Sequence, residues 1–448
     1  MGFPKDFAWG VATASYQIEG AAYKAGGGLS VWDMFCRRPG KILDGSNGDV
    51  ACDHFHRYQG DVALMAELGV PNYRFSLSWP RIMPDGMGRV DEAGLAFYER
   101  LIDDLLEKGI TPWVTLFHWD APYELYLKGG WMNRDHADWF ADYTQVVVDR
   151  LGDRVKHWMT LNEPQCFIGL GLESGLHAPG DRLGMTEVLL AGHHALLAHG
   201  KACQVIRARS KGEVEVGWAP VGGPKIPATD SAEDIEAARE AMFETLPNSV
   251  WSNSWWNDPV FFGHYPEQGL EAYGAAAPTP KAGDMETIQQ PLDFYGANIY
   301  NGQRVRRGED GKPQELPHPQ GIGRTIYHWP VTPECLYWGP KFFYERYGAP
   351  IVITENGIGY SDWVHLDGKI HDGGRIDYLH RHLAEFQRAQ DDGVATKGYF
   401  QWSFMDNFEW HEGYKHRFGL VYVDYATQER IPKDSAYWYR DVMAANGV

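Results

Sequence analysis

The sequence predicts an α/β fold, a (β/α)8 barrel (TIM barrel) with long insertions in its βα loops. Three observations lead there. Eight short β-forming runs recur along the 448 residues, and most are followed by a segment with helical periodicity. The runs are apolar at consecutive positions, as strands covered on both faces are, which argues for parallel strands sheathed by helices. Eight such units need about 250 residues, so a chain of this length has a surplus to place in loops. A doubly wound open sheet shows the same periodicity, and pattern alone leaves it open.

The runs lie at 7–12, 72–79, 111–117, 155–161, 214–219, 292–300, 351–354 and 397–404. After the first, 61–68 sets Leu64 and Leu68 four apart and stops before Gly69, a helix-ending residue. The second is followed by 91–108, with Leu95, Tyr98, Leu101, Ile102 and Leu105 on one face and Gly109 behind them. Helix 135–151 turns Trp139, Phe140, Tyr143, Val146 and Val147 inward, and another helix falls within 185–207. Ser231 and Asp234 have the spacing of a capping box, and Thr332-Pro333 reads as the N-cap and first residue of the next helix. Leu379, Leu383 and Phe386 are in helical register within 375–392. Stretches 36–60, 169–185, 221–290 and 301–330 are rich in Gly, Pro and polar residues and read as the insertions. No linker or low-complexity tract divides the chain, so 1–448 is expected to be one domain.

Forty-one basic against sixty acidic residues give a net charge of −19, which repels nucleic-acid phosphates and anionic lipid. Neither nucleic acid nor membrane is an expected partner. Five cysteines, an odd number without a C-x-x-C pair, fit a reducing compartment. The start lacks the apolar run of a signal peptide, so the expected location is the cytoplasm. Aromatics make up 14%, including 18 Trp, and supply flat faces for stacking or for filling a core. The chain has no G-x-S-x-G elbow, no G-K-[ST] loop and no third glycine to complete a dinucleotide fingerprint. His411-Glu412-Gly413-Tyr414-Lys415 puts Lys where H-E-x-x-H needs its second zinc ligand. No metal or cofactor is expected.

In a barrel the chemistry sits where strands end. Those ends carry Gln17, Arg74, His118, Asn162, Glu163, Asn298, Tyr300, Glu355 and Trp402. Glu163 and Glu355 each follow an apolar β run directly and precede chain-turning residues, Pro164 and Asn356-Gly357. One strand-end carboxylate is often a cap or an ion-pair partner. Two facing one pocket can cleave a glycosidic bond, one protonating the departing oxygen and the other attacking the anomeric carbon.

Thr160-Leu161-Asn162-Glu163-Pro164 and Ile353-Thr354-Glu355-Asn356-Gly357 resemble the two signatures of glycoside hydrolase family 1, the β-glucosidase family. Phe7-Ala8-Trp9-Gly10-Val11-Ala12-Thr13-Ala14-Ser15-Tyr16-Gln17-Ile18-Glu19-Gly20 is similar to its N-terminal signature. Tyr73-Arg74-Phe75-Ser76, Phe117-His118-Trp119-Asp120 and Asp406-Asn407-Phe408-Glu409-Trp410 follow in family order, so the likeness spans nearly the whole chain.

The resemblance implies a cofactor-free, retaining, exo-acting β-glucosidase working on small β-glucosides or cello-oligosaccharides through a covalent glycosyl-enzyme. Glu355 is then the nucleophile, and Glu163 the acid that turns base. Arg74 and Tyr300 would orient the nucleophile, and Asn162 would meet the sugar 2-hydroxyl. Gln17, His118, Glu409 and Trp410 would bind hydroxyls, and Trp402 would stack on the sugar's apolar face. Glucose, galactose and fucose stay undistinguished, because Gln17 and Glu409 tolerate either 4-hydroxyl configuration in the family. Gln165 stands on the aglycone side, where many members have Trp. Members acting on 6-phosphorylated sugars have Ser in place of Glu409, with a nearby Lys and Tyr. Here Glu409 is kept and Phe418 takes the tyrosine position, although Lys415 is close by. A 6-phospho-β-glycosidase and a silent sugar-binding barrel are the two alternatives, the second opposed by the retention of both glutamates.

Overall fold

The computed structural model describes residues 2–21 and 26–448. Eight parallel strands form its centre: β1 Ala8–Ala12, β2 Asn72–Ser76, β3 Thr111–Phe117, β4 His157–Asn162, β5 Glu215–Ala219, β6 Tyr295–Asn298, β7 Ile351–Asn356 and β8 Thr396–Trp402. They pair in the order β5-β4-β3-β2-β1-β8-β7-β6. Just past the strand ends a parallel bridge joins Val221 to Asn298, and the Asn298 N–H donates to the Pro220 carbonyl at 3.1 Å, bringing the sheet nearly to closure. The structure is therefore the barrel and not the open doubly wound sheet.

A helix follows each strand: α1 His54–Glu67, α2 Glu92–Glu107, α3 His136–Leu151, α4 Met185–Arg209, α5 Ala232–Phe243, α6 Cys335–Tyr347, α7 Gly373–Asp391 and α8 Asp434–Ala445. In α2 the expected face is the buried one, and the Asp91 side chain caps it by accepting from the Gly94 N–H at 3.1 Å. Gly69 and Gly109, just past α1 and α2, have φ of 65° and 73°, a conformation that costs glycine nothing.

Outward strand side chains join the helices in the main core, whereas Trp113, Met159, Val352 and Phe400 pack together inside the barrel. Toward the C-terminal strand ends the inward positions change character. Arg74, Thr115, Asn162, Thr354 and Glu355 replace the apolar filling there, all buried and hydrogen-bonded to one another or to neighbouring backbone. This polar floor is where the loops converge.

Two expected caps differ in detail. The Ser231 side chain does accept from the Asp234 N–H, but the Asp234 carboxylate turns to the Thr229 hydroxyl and the Arg307 N–H, so the box is half made. Helix α6 begins at Cys335 with Glu334 as N-cap, because the Thr332 hydroxyl is taken by the Gly302 N–H at 2.9 Å. Insertion 221–290 holds α5 and three more helices, Asn253–Phe262, Glu267–Tyr273 and Asp284–Ile288. Residues 54–60, expected as loop, belong to α1. Strand Lys225–Pro227 pairs with Gln303–Arg307, which pairs in turn with Pro313–Glu315, tying two insertions together.

Candidate active site

Most of the strands place one or two chemical groups at or just past their ends. From β2, Arg74 is spent on four neighbours: Nε donates to Thr115 Oγ1 at 3.3 Å, Nη1 donates to Glu355 Oε1 at 2.7 Å and to the Thr354 carbonyl at 2.9 Å, and Nη2 donates to Asn162 Oδ1 at 2.7 Å. After β6, the Tyr300 hydroxyl donates to Glu355 Oε2 at 2.7 Å. Both oxygens of Glu355 are thus held by donors, one of them a buried guanidinium.

Glu163, after β4, has φ of +46°, a left-handed conformation that a side chain with a Cβ disfavours. Trp119 and Trp410, which line the same pocket, share that region with φ of 79° and 52°. Three such residues around one pocket are held there by their surroundings, a pattern of functional sites. Asn298 Nδ2 donates to Glu163 Oε1 at 2.8 Å, and the Cys166 sulfur lies 3.0 Å from Oε2, where its S–H can donate to the ionised carboxylate. Burial pushes the Glu163 carboxyl up, and the Glu355 charge pushes it further. Burial also raises Glu355, but Arg74 and Tyr300 favour its ionised form. With a cation on one carboxylate and only an amide and a thiol on the other, the proton belongs to Glu163.

The amide orientations follow from their partners. Asn162 Oδ1 accepts from both Arg74 and Asn298, so its Nδ2 must face His118 Nε2, 3.2 Å away. His118 therefore accepts at Nε2 and carries its proton on Nδ1, which has no partner among the described residues. Burial, and then Arg74, hold this imidazole well below its ordinary range and so neutral. Gln17 donates through Nε2 to Asn407 Oδ1 and the Phe408 carbonyl, leaving its Oε1 unpartnered among the described residues. Glu409 Oε1 accepts from the Tyr327 hydroxyl at 3.1 Å. A free N–H, a free amide oxygen and a partly exposed carboxylate form a set suited to hydroxyl groups. Burial pushes Glu409 up to about 8, with the other two glutamates adding to it.

The pocket has a volume of ≈ 550 Å³. Seven of the ten expected residues line it: His118, Glu163, Tyr300, Glu355, Trp402, Glu409 and Trp410. Arg74, Asn162 and Gln17 reach it through the hydrogen bonds above. The His118 ring lies nearly parallel to Trp402 and Trp410, with centroids 5.7 and 5.9 Å away. Gln165 exchanges hydrogen bonds with the Val221 backbone at 3.2 and 3.4 Å. Lys415 is exposed and pairs with Glu412 at 3.7 Å.

Sequence reasoning missed Cys166, Tyr327 and Trp329 and gave Asn298 no role. Asn298 was visible as a strand-end residue. Cys166 had a signal in its spacing, three residues after Glu163 across a helical turn. Tyr327 and Trp329 lie in an insertion with no periodicity to read.

The description of glycosyl hydrolase family 1 matches residues 1–448. Beta-glucosidase A of Thermotoga maritima is 46% identical over 448 residues, covering 100% of this chain and 98% of that protein. The 1,4-beta-D-glucan glucohydrolase of Thermotoga neapolitana is 46% identical over 451 residues, covering 100% and 99%. A solved structure of the Thermotoga maritima beta-glucosidase in complex with glucoimidazole matches with a TM-score of 0.91 at 46% identity, covering 100% of both chains.

Proposed function

The chain belongs to glycosyl hydrolase family 1, and from that premise we propose how its residues divide the work. The enzyme is a retaining, exo-acting β-glucosidase that removes terminal non-reducing β-D-glucosyl residues by double displacement. Glu355 is the nucleophile: ionised between Arg74 and Tyr300, it attacks the anomeric carbon. Glu163 delivers its proton to the departing oxygen in the same step. The glycosyl ester formed on Glu355 has no negative charge, so one cause of the raised Glu163 carboxyl vanishes. Glu163, now the better base, takes a proton from water as that water attacks the anomeric carbon and Glu355 leaves.

The observation that carries this assignment is the unequal support of the two carboxylates, a guanidinium and a phenol against an amide and a thiol. The Asn162 amide sits between Arg74, Asn298 and His118, which supports its role as the partner of the 2-hydroxyl, a hydrogen bond that strengthens as charge develops at the anomeric carbon. Gln17, His118 and Glu409 hold the remaining hydroxyls, with Trp402 and Trp410 as the aromatic walls.

Small β-glucosides and cello-oligosaccharides are the substrates, a reading supported by a relative named as a 1,4-beta-D-glucan glucohydrolase. The Glu409 carboxyl can hydrogen-bond a sugar hydroxyl whether or not it is ionised, whereas a 6-phosphate would add charge beside a carboxyl whose ionisation burial already disfavours, and Lys415 is turned to Glu412, so the unphosphorylated sugar is favoured. The five cysteines are all free thiols, and among the described residues no helix is long and apolar enough to cross a membrane; both fit a cytoplasmic location.

Hydrolysis of 4-nitrophenyl β-D-glucopyranoside followed by proton NMR from the first minutes tests the mechanism. β-Glucose is expected first, and a 2-deoxy-2-fluoro-glucoside should leave its label on Glu355 in peptide mass spectra. Early α-glucose, or a label elsewhere, overturns the assignment.

A further inference from the structure

Cys166 sits on the helical turn Gln165–Glu173, almost fully buried, yet it lines the pocket. Its thiol is 3.0 Å from one oxygen of Glu163, and the two oxygens of that carboxyl are not equivalent. Asn298 Oδ1 accepts from the Thr354 hydroxyl at 2.7 Å, which fixes its Nδ2 as the donor to Glu163 Oε1. Oε1 is therefore committed as an acceptor in every protonation state. The mobile proton must reside on Oε2, the oxygen that faces sulfur.

We propose that Cys166 is the positioning residue of the acid: its thiol holds Oε2 of Glu163, donating to that oxygen whenever it has given up its proton. This rests on Glu163 being the acid and base of the reaction. When Glu163 is protonated, Oε2–H points to the leaving oxygen, and sulfur, a weak acceptor, does not compete for it. Once that proton has gone to the aglycone, S–H donates to the bare Oε2 and keeps the side chain aimed until water returns a proton. The thiol itself stays protonated, because burial and the adjacent Glu163 push it well up.

A thiol suits both states because it is a weak donor. A hydroxyl at the same place would grip the carboxylate more tightly and favour the ionised form; an alkyl group would not grip it at all. The other groups facing Glu163 stay the same in either variant: Glu355 from β7, Arg74 from β2, Tyr300 and Asn298 from the end of β6, and Glu409 from the loop after β8.

Cys166→Ser, Cys166→Ala and Cys166→Val are compared by the pH profile of kcat/KM on 4-nitrophenyl β-glucoside. Ser is expected to move the alkaline limb down by about one pH unit, and Ala and Val to move it up, a difference on the scale of one charged hydrogen bond. Ala and Val should also lose more on a phenyl glucoside, which needs the acid, than on a 2,4-dinitrophenyl glucoside, which does not. Limbs that stay still, limbs that all move the same way, or equal losses on both substrates would overturn the proposal, leaving Cys166 a packing residue. Glu163→Gln with azide checks the premise separately. Formation of β-glucosyl azide upholds Glu163 as the acid and base, and its absence removes that assignment whatever the Cys166 variants show.

Discussion

Removing one oxygen atom from Tyr300 tests the electrostatic division of the site directly. In Tyr300→Phe the ring keeps its neighbours Trp329 and Phe418, and the Tyr300 carbonyl still accepts from the Tyr378 hydroxyl. The change therefore removes one interaction, the 2.7 Å hydrogen bond to Glu355 Oε2. Glu355 is 3% exposed, so the lost hydrogen bond is one made in a largely desolvated setting. A buried hydrogen bond to a charged group is worth about 1.5–3 kcal/mol. That predicts a fall in kcat/KM of roughly 10- to 150-fold at the pH optimum. The same energy appears in the pH profile. Tyr300 favours the ionised form of a carboxyl that burial already raises, so without it Glu355 rises further. The nucleophile must be ionised, so the acid limb of kcat/KM moves to higher pH, by about one to two units. The alkaline limb, which reports Glu163, shifts much less, and the bell narrows and drops. Because the two carboxyls interact, each limb is a property of the pair, and the comparison must be made between variant and parent under one set of conditions. An acid limb that stays put or moves down, with kcat/KM within threefold of the parent, would refute the account of how Glu355 is kept ionised.

The loop bearing Glu409 is anchored by charge. Asp406 is fully buried and accepts from Lys433 at 2.7 Å, Arg417 at 2.6 Å and the Gly419 N–H at 3.0 Å, so Asp406→Asn should lower stability in a denaturant titration by about 3–5 kcal/mol, and a loss under 1 kcal/mol would dismiss this anchor. Glu409→Ser should lose glucoside turnover without gaining the 6-phosphate analogue, since Lys415 is engaged by Glu412; phospho-substrate turnover near the parent's rate on glucoside would contradict that. Glu409 is itself a stability cost at high pH. Its folded value near 8 exceeds the ordinary carboxylate value, so the unfolded chain releases that proton first, and stability falls as pH rises from about 4.5 to 8. The melting point of Glu409→Gln relative to the parent should therefore increase between pH 5 and pH 8; a flat or falling difference counts against it.

The barrel was legible because its strands are buried on both faces, which leaves apolar runs that need no knowledge of their partners. Residues 111–117 were read to the residue for that reason. Where the reading slipped, a local constraint cut the run short. The sequence predicts the second strand through residue 79, but it ends at Ser76: the Ser78 N–H is taken by the Tyr98 hydroxyl at 2.7 Å, and Trp79-Pro80 opens a short helical turn. The same logic separates the site residues that could be read from those that could not. Arg74, Asn162, Glu163 and Glu355 stand out because a polar residue ending an apolar strand is expensive unless it is partnered, and the sequence shows the anomaly before it shows the partners. Tyr327, by contrast, lies in an irregular insertion, and nothing in its neighbours separates it from any other loop tyrosine. It reaches Glu409, 82 positions away, only because Trp329 stacks on it at 4.6 Å and His416 meets it edge-on at 4.1 Å. Strand-borne chemistry is set by local pattern and can be read in one dimension. Loop-borne chemistry depends on packing between distant segments, so the specificity of this pocket is written mostly in residues that only the folded chain brings together.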